Sequence, residues 1–145
     1  MTPNTYNLLL AALAMVLLTF VVAVRVLYCR VREMRQKRLH PQKAATSKLM
    51  TANLEDIQAA DNFRNLFETP VLFYALVACA VAAAYVPPWL LLGAWLYFAL
   101  RAVHTIIHCT YNNVMHRLFV FALGFVLLVG LWIGFVLTLP NRVLL

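Results

Sequence analysis

Asp61, Arg64, Asn65 and Glu68 stand three, four and seven residues on from the first of them, and the chain runs from there straight into the uncharged stretch Thr69 to Val86. Helical spacing puts all four on one stripe. Arg101, His104, His108 and Tyr111 form a second stripe at steps of three, four and three. Guanidiniums bind carboxylates bidentately, and a Glu carboxylate takes an ammonium. Together with a side-chain amide they suit a small zwitterion that carries more than one carboxylate and an ammonium. A nearby Arg also favours a thiolate over a thiol, whose unperturbed pKa is about 8.5.

The elements that must position these residues are membrane-spanning. The chain has 145 residues, enough for one domain; 64% are hydrophobic and only 12% charged, with a mean hydropathy of +0.82, far from the soluble range. A bilayer core of about 30 Å needs roughly 20 apolar residues per helix. Four segments meet or nearly meet that need, approximately Tyr6 to Tyr28, Thr69 to Val86, Trp89 to His108 and Leu118 to Leu139. The third is interrupted by Arg101, His104 and His108, and there it must face protein or water. The first has no basic residue ahead of it and runs on past Ala12-Leu13-Ala14, so it is read as a retained helix.

Arg25, Arg30, Arg32, Arg35, Lys37, Arg38, Lys43 and Lys48 lie at the end of the first helix or in the following loop, and Arg101 and Arg117 flank the third connection. The Val86-Pro87-Pro88 turn has no basic side chain. The positive-inside rule then predicts both termini outside and the two basic connections cytoplasmic. The formal net charge of +7 follows from that topology and from anionic lipid, and nucleic acid is not an expected partner. The first helix is predicted to continue to Leu39 and to end at His40-Pro41, with a further helical start near Asn53 or Asp56. Pro87-Pro88 predicts an antiparallel hairpin of the second and third spans, and Tyr111-Asn112-Asn113 a turn before the fourth. Gly130 and Gly134 make a GxxxG spacing that predicts close helix packing, within the bundle or between copies. Cys29, Cys79 and Cys109 read as buried small hydrophobes.

Depth counting brings distant residues to one level. From the outer face, Glu68 lies about 27 Å in, Arg64 about 33 Å, His104 about 24 Å and His108 about 30 Å, while Arg30 and Arg117 are each about 33 Å deep. The inner mouth of the bundle is therefore polar, cationic and supplied with a carboxylate. Glutathione has the charge pattern that fits it, and the apolar wall could present a lipid-soluble electrophile. Simpler readings compete. Asp61 with Arg64, and Arg64 with Glu68, could be intrahelical pairs worth about 0.2–0.5 kcal/mol each, and Arg30 and Arg117 could anchor headgroups. His104-x-x-x-His108 has metal-ligand spacing, yet with four histidines in the chain a polar helix face is the better reading and no metal is expected.

Arg64-Asn65-x-x-Glu68-Thr69-Pro70, Arg101-x-x-His104-Thr105 and Arg117 at the start of the fourth span resemble the MAPEG family, the membrane-associated proteins in eicosanoid and glutathione metabolism. The likeness extends over nearly the whole chain and is to a divergent, bacterial-type member, which would put it in a bacterial inner membrane. It implies an all-α, four-helix transmembrane bundle assembled as a homotrimer, with glutathione as cosubstrate between protomers near the cytoplasmic side. It also implies membrane lipid and a hydrophobic small-molecule substrate as partners. Arg30, Arg64, Asn65, Glu68, His104 and Arg117 match glutathione-contacting positions of at least some members. Arg117 would then stabilise the thiolate as the catalytic residue and Glu68 would hold the ammonium. Arg101 matches a basic position near that site, and His108 stands where a Tyr is expected. Asp61 stands where a basic residue is common, and Leu118 where one prostaglandin-synthesising member has Ser. The alternative is a non-catalytic protein of the same fold whose mouth binds lipid, another anion or a partner protein.

Overall fold

The computed structural model describes residues 1–44, 46, 49, 52, 53 and 58–139, with the backbone alone at 41 and 44. Five α-helices make four candidate membrane spans: α1 (Pro3–Gln36), α2 (Gln58–Asn65) with α3 (Pro70–Ala82), α4 (Pro88–Cys109) and α5 (Val114–Thr138). A short 3-10 turn, Pro41–Ala44, lies in the first connection. α1, α3 and α4 each begin with Pro in the first turn, where its missing N–H is no loss. α5 is capped by Asn113, whose Oδ1 accepts from the backbone N–H of Met115 at 3.0 Å and of His116 at 3.1 Å. α1 ends at Gln36, before the predicted Leu39, because Arg38 turns into the left-handed region at φ 49°. Of the expected start near Asn53 or Asp56, Asn53 is helical and Asp56 lies outside the described residues.

α1 buries Leu8, Ala11, Met15, Val22, Val26, Cys29 and Glu33, a seam at steps of three, four or seven. Its other faces stay apolar and exposed, at Leu13, Leu17, Phe20 and Leu27 among others, as a helix in lipid requires. α4 packs most closely on α5 and also on α1, while α3 packs on α1 and α5. The predicted hairpin of α3 and α4 is thus joined by large side chains, with Phe73 stacked on Tyr97 at 5.0 Å, more than by close backbone approach. Asn4 Nδ2 donates to Val86 O at 3.1 Å, which sets the start of α1 beside the α3–α4 connection. At the opposite end Arg25 Nη2 donates to Cys109 O at 2.7 Å, a cation on the carbonyl end of α4.

The second span departs from the sequence reading. Pro70 cannot donate to Leu66 O, so the helix tightens before it: Phe67 N–H bonds Arg64 O at 2.9 Å and Glu68 N–H bonds Asn65 O at 3.4 Å, both three residues back. Residues 66–69 form a turn between α2 and α3. Asp61, Arg64 and Asn65 share α2, but Glu68 sits on the turn, off a continuous stripe.

The two glycines of the GxxxG spacing differ within the protomer. A β-carbon on Gly134 would lie 3.2 Å from the Trp89 ring, whereas Gly130 has nothing within 4 Å in the protomer. The close approaches are elsewhere, at Gly93 against Leu131 and at Gly124, where a β-carbon would come within 2.8 Å of Arg101 Nη2. Cys29 is buried as expected, but Cys79 is exposed and Cys109 half-buried. Gly124→Val is expected to cost about 1–3 kcal/mol through overpacking, and Gly130→Val much less. Thermal unfolding of both variants in detergent measures the difference; equal losses would contradict this packing.

Candidate functional site

Arg101 is the largest side chain enclosed in the bundle, with 1% of its surface exposed. Its Nη1 donates to Thr69 Oγ1 at 3.1 Å and its Nη2 to Phe121 O at 3.3 Å, which ties α4 to the start of α3 and to α5. The guanidinium carbon lies 4.8 Å from the centre of the Phe121 ring and 5.5 Å from that of Tyr97. Tyr97 Oη in turn reaches the same Thr69 hydroxyl at 3.4 Å. Among the described residues no carboxylate pairs with this guanidinium, and its Nε has no partner. Arg101 is therefore placed inside the protomer and not at its mouth.

One and two turns further along α4, His104 and His108 lie on the same buried face, each 2% exposed. His104 Nδ1 meets the Arg117 carbonyl at 3.2 Å. A carbonyl only accepts, so Nδ1 carries the proton. His108 Nε2 meets Arg117 Nη1 at 3.0 Å; a guanidinium only donates, so here the ring nitrogen is the acceptor and His108 is the neutral Nδ1–H tautomer. The same Nη1 donates to Asn112 Oδ1 at 3.0 Å. Asn112 stands at φ 46°, in the left-handed region that Asn tolerates, in the turn between α4 and α5. Two histidines on one helix thus grip one arginine at both ends, its backbone carbonyl and its guanidinium.

Half of Arg117 is left over. The side chain is half-buried, and among the described residues its Nε and Nη2 hold no partner in the protomer. The result is a guanidinium fixed through one nitrogen with its remaining donors open, a pre-organised seat for an anion. Tyr111, expected on the same stripe, lies past the end of α4, is exposed and meets His116 Nδ1 at 3.2 Å.

The other expected site residues are not enclosed in the protomer. Arg64 and Glu68 are exposed, and Arg30 and Asn65 half-buried. Among the described residues no ion pair joins Asp61, Arg64 and Glu68, so the intrahelical pairs are not formed. The structure therefore brings Arg101, His104, His108 and Arg117 into one network between α4 and α5, and leaves Arg30, Arg64, Asn65 and Glu68 on the protomer's surface.

Four participants were missed. Asn62 is fully buried, with Nδ2 3.6 Å from Cys109 Sγ and Oδ1 unpartnered; its place three residues before Asn65 was the available signal. Thr69 was read only as part of a motif and Asn112 only as a turn residue. Arg25, a turn shallower than Arg30 on α1, is the residue that reaches the end of α4. Thr69→Val would leave Arg101 Nη1 without its acceptor, at a cost of about 1.5–3 kcal/mol for a bond to a charged group. Adding Arg101→Met should recover part of that loss, as removal of both members of a buried polar pair often does. Unfolding of the single and double variants tests the tie; a double variant worse than the sum would count against it.

The sequence profile of the MAPEG family matches residues 8–137. No curated protein and no solved structure matches the chain.

Proposed function

Because the chain belongs to the MAPEG family, which includes glutathione-dependent transferases and peroxidases, we propose that it is a membrane-embedded enzyme of that kind acting on lipophilic electrophiles. The observation that carries this reading is Arg117, held through Nη1 by His108 and Asn112 with its Nε and Nη2 open. A thiolate docked on those donors is stabilised as the reactive form, and the rigid hold keeps them aimed without reorganisation at the moment of reaction. In conjugation the sulfur forms a bond to the electrophilic carbon and the leaving group departs with its electron pair.

The rest of the tripeptide is assigned by charge. Arg30 and Arg64 take its carboxylates, Glu68 its ammonium and Asn65 a peptide group. The exposure of Arg64 and Glu68 on the protomer supports a site that a neighbouring copy completes, as in a homotrimer. His104 and His108 act through Arg117, and Arg101 through the helices it ties together. This reading sets both termini outside and the basic connections, with the glutathione site, on the cytoplasmic side. The electrophile arrives from the bilayer. An apolar groove of about 370 Å³ between α1 and the α2–α3 break, lined by Val16, Phe20, Phe63, Phe67 and Tyr74, has the apolar character such a substrate requires and supports this reading.

Loss of the open guanidinium in Arg117→Ala is expected to lower turnover of glutathione with a chlorinated aromatic electrophile by about 10²–10³-fold, the usual effect of removing one such donor. Asn112→Ala, which loosens the hold but keeps the charge, should fall between. Calorimetry with glutathione accompanies the assay. Equal rates for wild type and Arg117→Ala, with no heat of glutathione binding, would falsify the proposal.

A further inference from the structure

The basic end of α1 carries a second feature that the glutathione reading does not use. Val24, Leu27, Tyr28, Val31, Arg32, Arg35 and Gln36 follow one another at steps of three, one, three, one, three and one, the pattern of a single helix face, and they line a furrow of about 530 Å³. At 1.5 Å per residue it runs about 18 Å along the helix. One end is apolar, with Val24, Leu27 and Tyr28 each more than half exposed. The other end holds two guanidiniums. Among the described residues neither Arg32 nor Arg35 makes a side-chain hydrogen bond or ion pair, and Glu33, between them in sequence, is bonded to Lys37 at 2.7 Å.

The furrow straddles a phase boundary. α1 has 34 residues and is about 51 Å long, well beyond the hydrocarbon core of about 30 Å. With Leu8 at one boundary of that core, the other falls near Leu27, so Arg32 and Arg35 lie about 8–12 Å beyond it, at headgroup level. Tyr28 sits where interfacial aromatic rings gather. An occupant must therefore be apolar at one end and anionic at the other, with the junction at the membrane surface.

We propose that this furrow seats one anionic phospholipid of the leaflet on the basic side, its phosphate between Arg32 and Arg35 and an acyl chain along Val24 and Leu27. Charge complementarity selects that occupant. A guanidinium pair meets phosphate oxygens bidentately, and basic juxtamembrane residues are drawn to an anionic leaflet. A second copy that laid its own α1 end here would bring Arg25, Arg30, Arg32, Arg35, Lys37 and Arg38 against like charge. A soluble anion would leave the apolar end uncovered.

Native mass spectrometry of the intact protein released from detergent containing equal palmitoyl-oleoyl phosphatidylglycerol and phosphatidylcholine tests the seat. Wild type should retain the anionic lipid at least threefold over the zwitterionic one, and Arg32→Gln/Arg35→Gln should fall to parity with unchanged oligomeric mass. A photoreactive benzophenone side chain placed at Leu27 in the otherwise native protein gives a second readout, which does not depend on how the double variant folds. Illumination should yield a lipid adduct. Undiminished selectivity in the double variant, or a crosslink from position 27 to a second copy, would overturn the proposal.

Discussion

A single buried cation sets the terms for the rest of this bundle. Arg101 lies almost wholly inside the protomer, where an arginine on an isolated spanning helix costs about 2.5–3.5 kcal/mol on insertion scales. No carboxylate among the described residues offsets it. Hydrogen bonds to Thr69 and Phe121 and two aromatic rings do so instead. Bonds to a charged group are worth about 1.5–3 kcal/mol each, and a desolvated cation–π contact about 2, so these contacts are of the size needed. They are also directional. Thr69 belongs to the start of α3 and Phe121 to α5, so satisfying one charge fixes three helices relative to one another. Gly124 has no side chain because the guanidinium occupies that space.

That fixed frame is what gives Arg117 its geometry. α4 and α5 are the most closely packed pair, and the turn between them is short, with Asn112 in a left-handed conformation. His104 and His108 reach across from α4 to the first turn of α5 and hold Arg117 at its carbonyl and its guanidinium. An arginine on a free helix end would sample many rotamers. Here one nitrogen is committed and the remaining donors keep a set direction, the property an anion seat needs.

The other ionic residues are governed by lipid and by Pro70. A spanning helix that is apolar on every side gives no signal of which face is inward, and α1, α3 and α5 expose as many large apolar residues as they bury. Polar residues therefore collect at the end where water and headgroups can solvate them. The proline then breaks the second span, so that Asp61 and Arg64 stay on α2 while Glu68 is left on an exposed turn. Charges that share a depth need not share a surface.

Hydropathy and length determined the four spans and the crowding of basic residues at one end, because a bilayer leaves a chain few other ways to satisfy its backbone. The turns at Pro87 and Asn112 were legible too, since Pro and Asn constrain the backbone locally. The Arg64-Asn65-x-x-Glu68 and Arg101-x-x-His104 spacings identified the family. Spacing could not say which arginine is enclosed and which is open. Arg117, Arg64 and Arg30 look equivalent when depth is counted along ideal helices, and Arg101, about 13 Å shallower, is marked only as a charge that must face protein or water. Only the tertiary structure separated them, because enclosure depends on the rotation of each helix about its axis, and that rotation is set by contacts between residues far apart in the chain: Arg101 with Thr69 and Phe121, Arg117 with His108 and Asn112, Arg25 with the end of α4.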